Sequence, residues 1–140
     1  MNKSKIIYIS AAVLILVAAI IFFISNNENE TSTSDKKVAD KSSLVGDWAR
    51  TDADYLIRIT DVNDDGSMTA QYFNPNAINV GKANWESSYG NLKIVVELRD
   101  VNYPGSTYTL NYLPDRDILA GEYYQAVEGL TFYVEFARNK

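Results

Sequence analysis

Hydrophobic and polar positions follow two different rules along this chain. From Ile6 to Ile24 every one of 19 residues is uncharged, in the run IIYISAAVLILVAAIIFFI. From Leu44 onward, apolar residues alternate with polar ones. Alternation with a period of two puts one face of a strand on a core and the other in water. It is clearest in NLKIVVELRD (91–100), where Leu92, Ile94, Val96 and Leu98 oppose Lys93, Val95, Glu97 and Arg99. In LTFYVEFAR (130–138), Phe132, Val134 and Phe136 oppose Thr131, Tyr133 and Glu135. The same rule predicts strands at 44–50, 54–61, 67–73, 79–88, 106–112 and 117–125. The fourth of the eight carries Gly81, the mark of a bulge.

The links between these strands are short and rich in turn residues: TDA, NDDG, NPNA, SSYG, VNYPG, LPDR and AVEG. A Greek key needs at least one long return connection, and none is visible. The pattern therefore predicts an all-β domain, an eight-stranded antiparallel up-and-down barrel, with a two-sheet sandwich as the alternative. A meander hides its edges by closing on itself, and eight strands enclose room for at most one small ligand. No helical period of useful length follows the apolar run.

As a helix, 6–24 would rise ~1.5 Å per residue and nearly span a hydrocarbon core of ~30 Å. A cleavable signal peptide is the competing reading, but its apolar core is shorter and ends at small residues. Here bulky Ile20, Ile21, Phe22, Phe23 and Ile24 close the run. The expectation is an uncleaved transmembrane signal anchor. Lys3 and Lys5 precede it, while the flank SNNENETSTSD carries no Lys or Arg. Positive charge favours the cytoplasmic side, so residues 1–5 are expected there and the rest outside, periplasmic or extracellular. Lys36, Lys37 and Lys41 weaken this asymmetry without reversing it. Residues 25–43, polar and almost free of apolar side chains, read as a flexible linker. Residues 44–140 remain for the barrel domain.

Composition then removes whole classes of chemistry. Among 140 residues there is no His and no Cys, which excludes catalytic triads that need either, thiolate or imidazole zinc sites, and disulfides. A net charge of −5 supplies no basic field for nucleic acid. Asp61-Val-Asn63-Asp64-Asp65-Gly66 matches the first half of a calcium loop, but Tyr72 stands where the bidentate Glu belongs. A hairpin turn accounts for the same residues, and no metal or cofactor is expected. Glu97 and Glu135 fall on polar strand faces, against a paired-carboxylate site, and no nucleotide or hydrolase fingerprint occurs. The chain reads as a non-enzyme.

In an up-and-down meander the links divide between two ends. TDA, NPNA, VNYPG and AVEG share the end away from the linker. They gather Asn74, Asn76, Asn102 and Tyr103 beside the strand-end residues Tyr72, Phe73, Tyr124 and Gln125. Aromatic faces with amide donors suit a sugar, a peptidoglycan fragment, a peptide or another small polar molecule. Tyr72, Asn74, Asn76, Asn102, Tyr103, Tyr124 and Gln125 are therefore the candidate ligand-binding residues. The alternative is a side-chain-filled barrel that docks an envelope protein through the same end.

Two resemblances add to this. Gly46-Asp47-Trp48 in the first strand resembles the G-x-W of lipocalins and avidins. In lipocalins a late Arg packs over that Trp, which implies that Arg138 meets Trp48. The wording YFNPNAINVGKANW (72–85), VELRDVNYPGSTYTLNY (96–112) and GEYYQAVEGLTFYVEF (121–136) resembles a family of small secreted or membrane-anchored bacterial proteins of uncharacterised activity. That resemblance implies a bacterial cell-envelope protein and supplies no reaction.

The anchor reading predicts that the mature protein retains residues 6–24 and that protease added to intact cells removes the domain. A mature N-terminus beyond Ile24 would defeat the anchor. A protected domain would defeat the orientation.

Overall fold

Period-two alternation becomes strand throughout the computed structural model, which describes residues 39–140. The expected anchor and the linker up to residue 38 lie outside the described residues. The strands are β1 (Gly46–Arg50), β2 (Leu56–Val62), β3 (Met68–Asn74), β4 (Asn76–Ile78), β5 (Val80–Ser88), β6 (Asn91–Asp100), β7 (Tyr103–Leu113), β8 (Ile118–Gln125) and β9 (Leu130–Arg138). A 3-10 turn, Lys41–Leu44, precedes them. Among the described residues no helix is long and apolar enough to cross a membrane.

All nine strands form one antiparallel sheet in the order β4-β3-β2-β1-β9-β8-β7-β6-β5. The first and last strands pair, with Trp48 opposite Arg138 and Arg50 opposite Phe136. The sheet curls until β3 and β5 face each other, where an isolated bridge joins Ser67 to Asn84. The Trp85 N–H also donates to the Gly66 carbonyl at 2.9 Å. The result is a nearly closed barrel.

Nine strands replace the expected eight because the link NPNA, read as a turn, gives rise to a short extra strand, β4, while the expected fourth strand is β5. Residues 76–78 fold back onto β3 around Pro75, which pairs Asn74 with Asn76. The chain then changes partner at Asn79, and β5 pairs with β6 instead. Both backbone groups of Asn79 are satisfied at the break: its N–H by the Asp100 carboxylate at 3.1 Å, its carbonyl by the Arg99 N–H at 2.8 Å. The open seam therefore lies between β3 and β5. The register slips between Val80 and Lys82, at the glycine where a bulge was expected.

Two boundaries also moved. Asp100 pairs with Tyr103, so most of VNYPG is strand and the turn shrinks to Val101 and Asn102. The 3-10 turn takes in the last three residues of the segment read as linker and Leu44, the first residue of the expected first strand. The Asp40 side chain caps it by accepting from Ser42 N–H at 2.9 Å, and Leu44 is wholly buried.

Inward positions build the core: Trp48, Ile57, Ile59, Ile94, Val96, Leu98, Tyr108, Leu110, Leu119 and Phe136 are all essentially inaccessible. Trp48 donates its indole N–H to the Leu44 carbonyl at 2.8 Å, and its ring meets Tyr112 edge-on at 5.9 Å. The Arg138 guanidinium lies 4.1 Å from the centre of that indole, so the expected contact is present. Arg138 also bonds both carboxylate oxygens of Asp117, at 3.0 and 2.8 Å. Its remaining nitrogens donate to the carbonyls of Val45 at 2.9 Å and Ser43 at 2.6 Å. The Arg138 bond holds the Asp117 carboxyl below the usual carboxylate range.

Trp48→Ala is expected to cost ~3–5 kcal/mol in denaturant unfolding, because a large aromatic leaves a cavity where three elements meet. Gly121 supplies a second test. A Cβ there would lie 2.2 Å from the Thr109 carbonyl oxygen and 3.1 Å from Leu110 Cα, and paired backbone cannot step aside. Gly121→Ala should therefore lower stability by about 1–3 kcal/mol or more. An unchanged melting temperature would show that β7 and β8 can separate there.

Candidate functional site

The two ends of the barrel differ. At the end that carries the 3-10 turn, Leu44, Trp48, Met68 and Tyr112 fill the interior. At the opposite end the side chains leave a cavity of about 440 Å³. Four sets of neighbouring residues line it. β1 and the link after it contribute Arg50, Asp52, Ala53 and Tyr55, and the end of β3 contributes Tyr72 and Asn74. The β6–β7 turn brings Asn102 and the start of β7 brings Tyr103, and the β8–β9 hairpin brings Tyr123, Gln125 and Phe132.

Tyrosines form the wall and floor. The hydroxyls of Tyr72 and Tyr108 are hydrogen-bonded at 3.0 Å. Tyr108 stacks on Tyr123, with centroids 4.4 Å apart and planes 23° from parallel, and meets Phe136 edge-on. Tyr72 in turn touches Tyr55 and Tyr103, each at 6.2 Å. The Asn74 amide donates to the Tyr103 hydroxyl. Burial pushes the phenols of Tyr72 and Tyr108 well above their ordinary range. They stay neutral and serve as hydroxyl donors and acceptors at any working pH.

Arg50 is the cation of this cavity. Its side chain is 11% exposed, because its position on β1 has the inward parity of Trp48. It donates to the two carboxylate oxygens of Asp52, at 2.6 and 3.2 Å. Its guanidinium lies 5.2 Å from the Tyr55 ring centre. The Asp52 side chain is 61% exposed, and the bond from Arg50 lowers its pKa.

Five of the seven candidate residues line the cavity: Tyr72, Asn74, Asn102, Tyr103 and Gln125. Asn76 does not; it lies beyond Pro75 on β4 and is exposed. Nor does Tyr124, which alternates with buried Tyr123 and faces outward, 44% exposed. Sequence reasoning missed Arg50, Asp52, Ala53, Tyr55, Tyr123 and Phe132. Parity alone could have supplied three of them. Arg50 shares the face of Trp48, Tyr123 that of Gln125, and Phe132 that of Val134.

The half-match to a calcium loop is a hairpin turn. Asp65 accepts from the Ser67 N–H at 2.9 Å and hydroxyl at 2.6 Å, and Asp64 pairs with Lys41. Among the described residues no three His, Cys, Asp or Glu side chains converge on a metal position. Glu135 pairs with Arg116 at 2.9 Å, and Glu97 with Arg99.

No family model matches the chain, and no curated protein or solved structure does either. The cavity's own chemistry carries the functional argument.

Proposed function

We propose that this barrel is a binding module for one small polar ligand of the cell envelope, tethered to the membrane by residues 6–24 and displayed outside the cytoplasm. The observation that carries the binding reading is the cavity at the barrel mouth. Its 440 Å³ falls within the ~300–1,000 Å³ usual for ligand sites. Its walls combine the faces of Tyr55, Tyr72, Tyr103, Tyr123 and Phe132 with the amides of Asn74, Asn102 and Gln125. Rings that stack and amides that orient suit a glycan unit, a short peptide or a similar molecule. Strand-borne residues hold much of this wall in place, so little ordering entropy opposes binding. The reading is of capture without catalysis.

A second reading, docking of an envelope protein, has one observation in its favour. The β8–β9 hairpin exposes Val127, Leu130 and Phe132, at 58%, 52% and 42%.

Binding and docking separate by mutation. Replacing Asn102 and Gln125 together by Ala should leave the melting temperature nearly unchanged. It should also abolish binding seen for the parent with a panel of saccharides, peptidoglycan fragments and short peptides. Asn76→Ala with Tyr124→Ala, outside the cavity, should bind like the parent. A panel that leaves the parent's cavity resonances unmoved, with Leu130→Ser disrupting capture of an envelope protein, would replace the module with the docking domain.

A further inference from the structure

We infer that the ligand of this cavity carries a single carboxylate, which takes the Arg50 guanidinium in competition with Asp52. The inference rests on the binding reading above and adds the chemical class of what is bound.

Arg50 points into the barrel, and a charge so deeply placed is costly unless it is paired. Its partner sits on the other side. Asp52 belongs to the short link between β1 and β2, and most of its side chain faces water. The pair therefore holds its acid at the rim and its base in the cavity. A guanidinium offers five donors in a planar fork. Asp52 engages Nε and one hydrogen of Nη2, and the buried Tyr108 hydroxyl interacts with the same guanidinium from the core, so the two-point edge that an anion would use is the one Asp52 holds. The Tyr55 ring supports the guanidinium plane and keeps the fork in one orientation.

The geometry of the pair also indicates which anion fits. Two oxygens of one carboxylate already meet Nε and Nη2 side by side, the two-point match that a ligand carboxylate would reproduce. Among the residues lining the cavity the charges are one Arg and one Asp. A monoanion finds one cation to pair with, whereas a phosphate dianion would bring a second charge beside Asp52 with nothing to neutralise it. The remaining walls are rings, phenol hydroxyls and amides, which suit a ring or acylamino body attached to that carboxylate. The link is fastened at its ends rather than at the Asp52 side chain, with the Arg50 N–H bonding the Tyr55 carbonyl at 2.9 Å. Thr51 bonds the Glu135 carbonyl at 3.0 Å, and the Tyr55 N–H bonds the Ala53 carbonyl at 2.9 Å. Asp52 can therefore swing into water without breaking the sheet.

The test uses the full chain in nanodiscs and three acids, each with its neutral primary amide: 4-hydroxyphenylacetate, glucuronate and N-acetylalanine. NMR of the Arg50 Nε–H and of the tyrosine rings reads binding at the cavity. At least one acid should bind on the order of ten- to hundredfold more tightly than its amide, the range for a charge-assisted hydrogen bond. Asp52→Asn should tighten the acid further and leave the amide unchanged. Arg50→Gln should erase the acid's advantage. Should Arg50→Gln fail to fold, the Asp52→Asn comparison still decides the matter. Equal binding of acid and amide would overturn the carboxylate and leave the binding module standing. An acid preference that Asp52→Asn does not alter would overturn the competition. Unmoved cavity resonances with all six compounds would overturn both the carboxylate and the binding site.

Discussion

Arg138 joins more of this molecule than any other described side chain. Its guanidinium covers Trp48, spans the two oxygens of Asp117 and caps the carbonyls of Ser43 and Val45. Those contacts tie the end of β9 to the start of β8, to the chain entering β1 and to the principal aromatic of the core. A meander has two ends of chain that would otherwise fray. Pairing the first strand with the last, and locking that pair with one cation whose three nitrogens all find acceptors, removes both at once. Even the carbonyls of the segment entering β1, which lies outside the sheet ladder, find their partners there.

The locked end determines the character of the other. With Leu44, Trp48 and Tyr112 plugging one mouth, the barrel has no through-channel and becomes a cup. The floor of the cup is Tyr72 and Tyr123, with Tyr108 packed beneath them, stacked on Tyr123 and hydroxyl-bonded to Tyr72. Tyrosine suits this boundary because one side chain supplies both apolar area and a polar tip.

The two inward arginines show the contrast most directly. Each lies over an aromatic ring, Arg138 over Trp48 and Arg50 over Tyr55, and both belong to the β1–β9 pair. Arg138 spends all three of its nitrogens on protein acceptors and acts as a clamp. Arg50 spends one edge of its fork on an exposed carboxylate at the cavity rim. The same residue type, two register positions apart on the β1–β9 pair, thus clamps the closed end and lines the open cavity at the other.

Most of the strand layout was legible from the chain alone. Alternation in 91–100, and from Val134 onward in 130–138, specified which side chains are buried, because a one-residue slip would turn every apolar group outward. Short links specified a meander and sorted the turns between two ends, which is why Tyr72, Asn74, Asn102, Tyr103 and Gln125 meet at one cavity. Tyr124 was misplaced although parity favoured Tyr123, and Arg50 went unseen because a charged residue on a strand ordinarily reads as solvated. Tertiary structure alone decided that part of the NPNA link pairs with β3 as β4 before pairing switches at Asn79, that the seam opens between β3 and β5, and that Arg50 turns inward beside Asp52. Each depends on what lies across space. A strand's alternation is local and survives in any sheet, whereas a change of pairing partner or the burial of a charge is settled only when distant segments compete for the same hydrogen bonds.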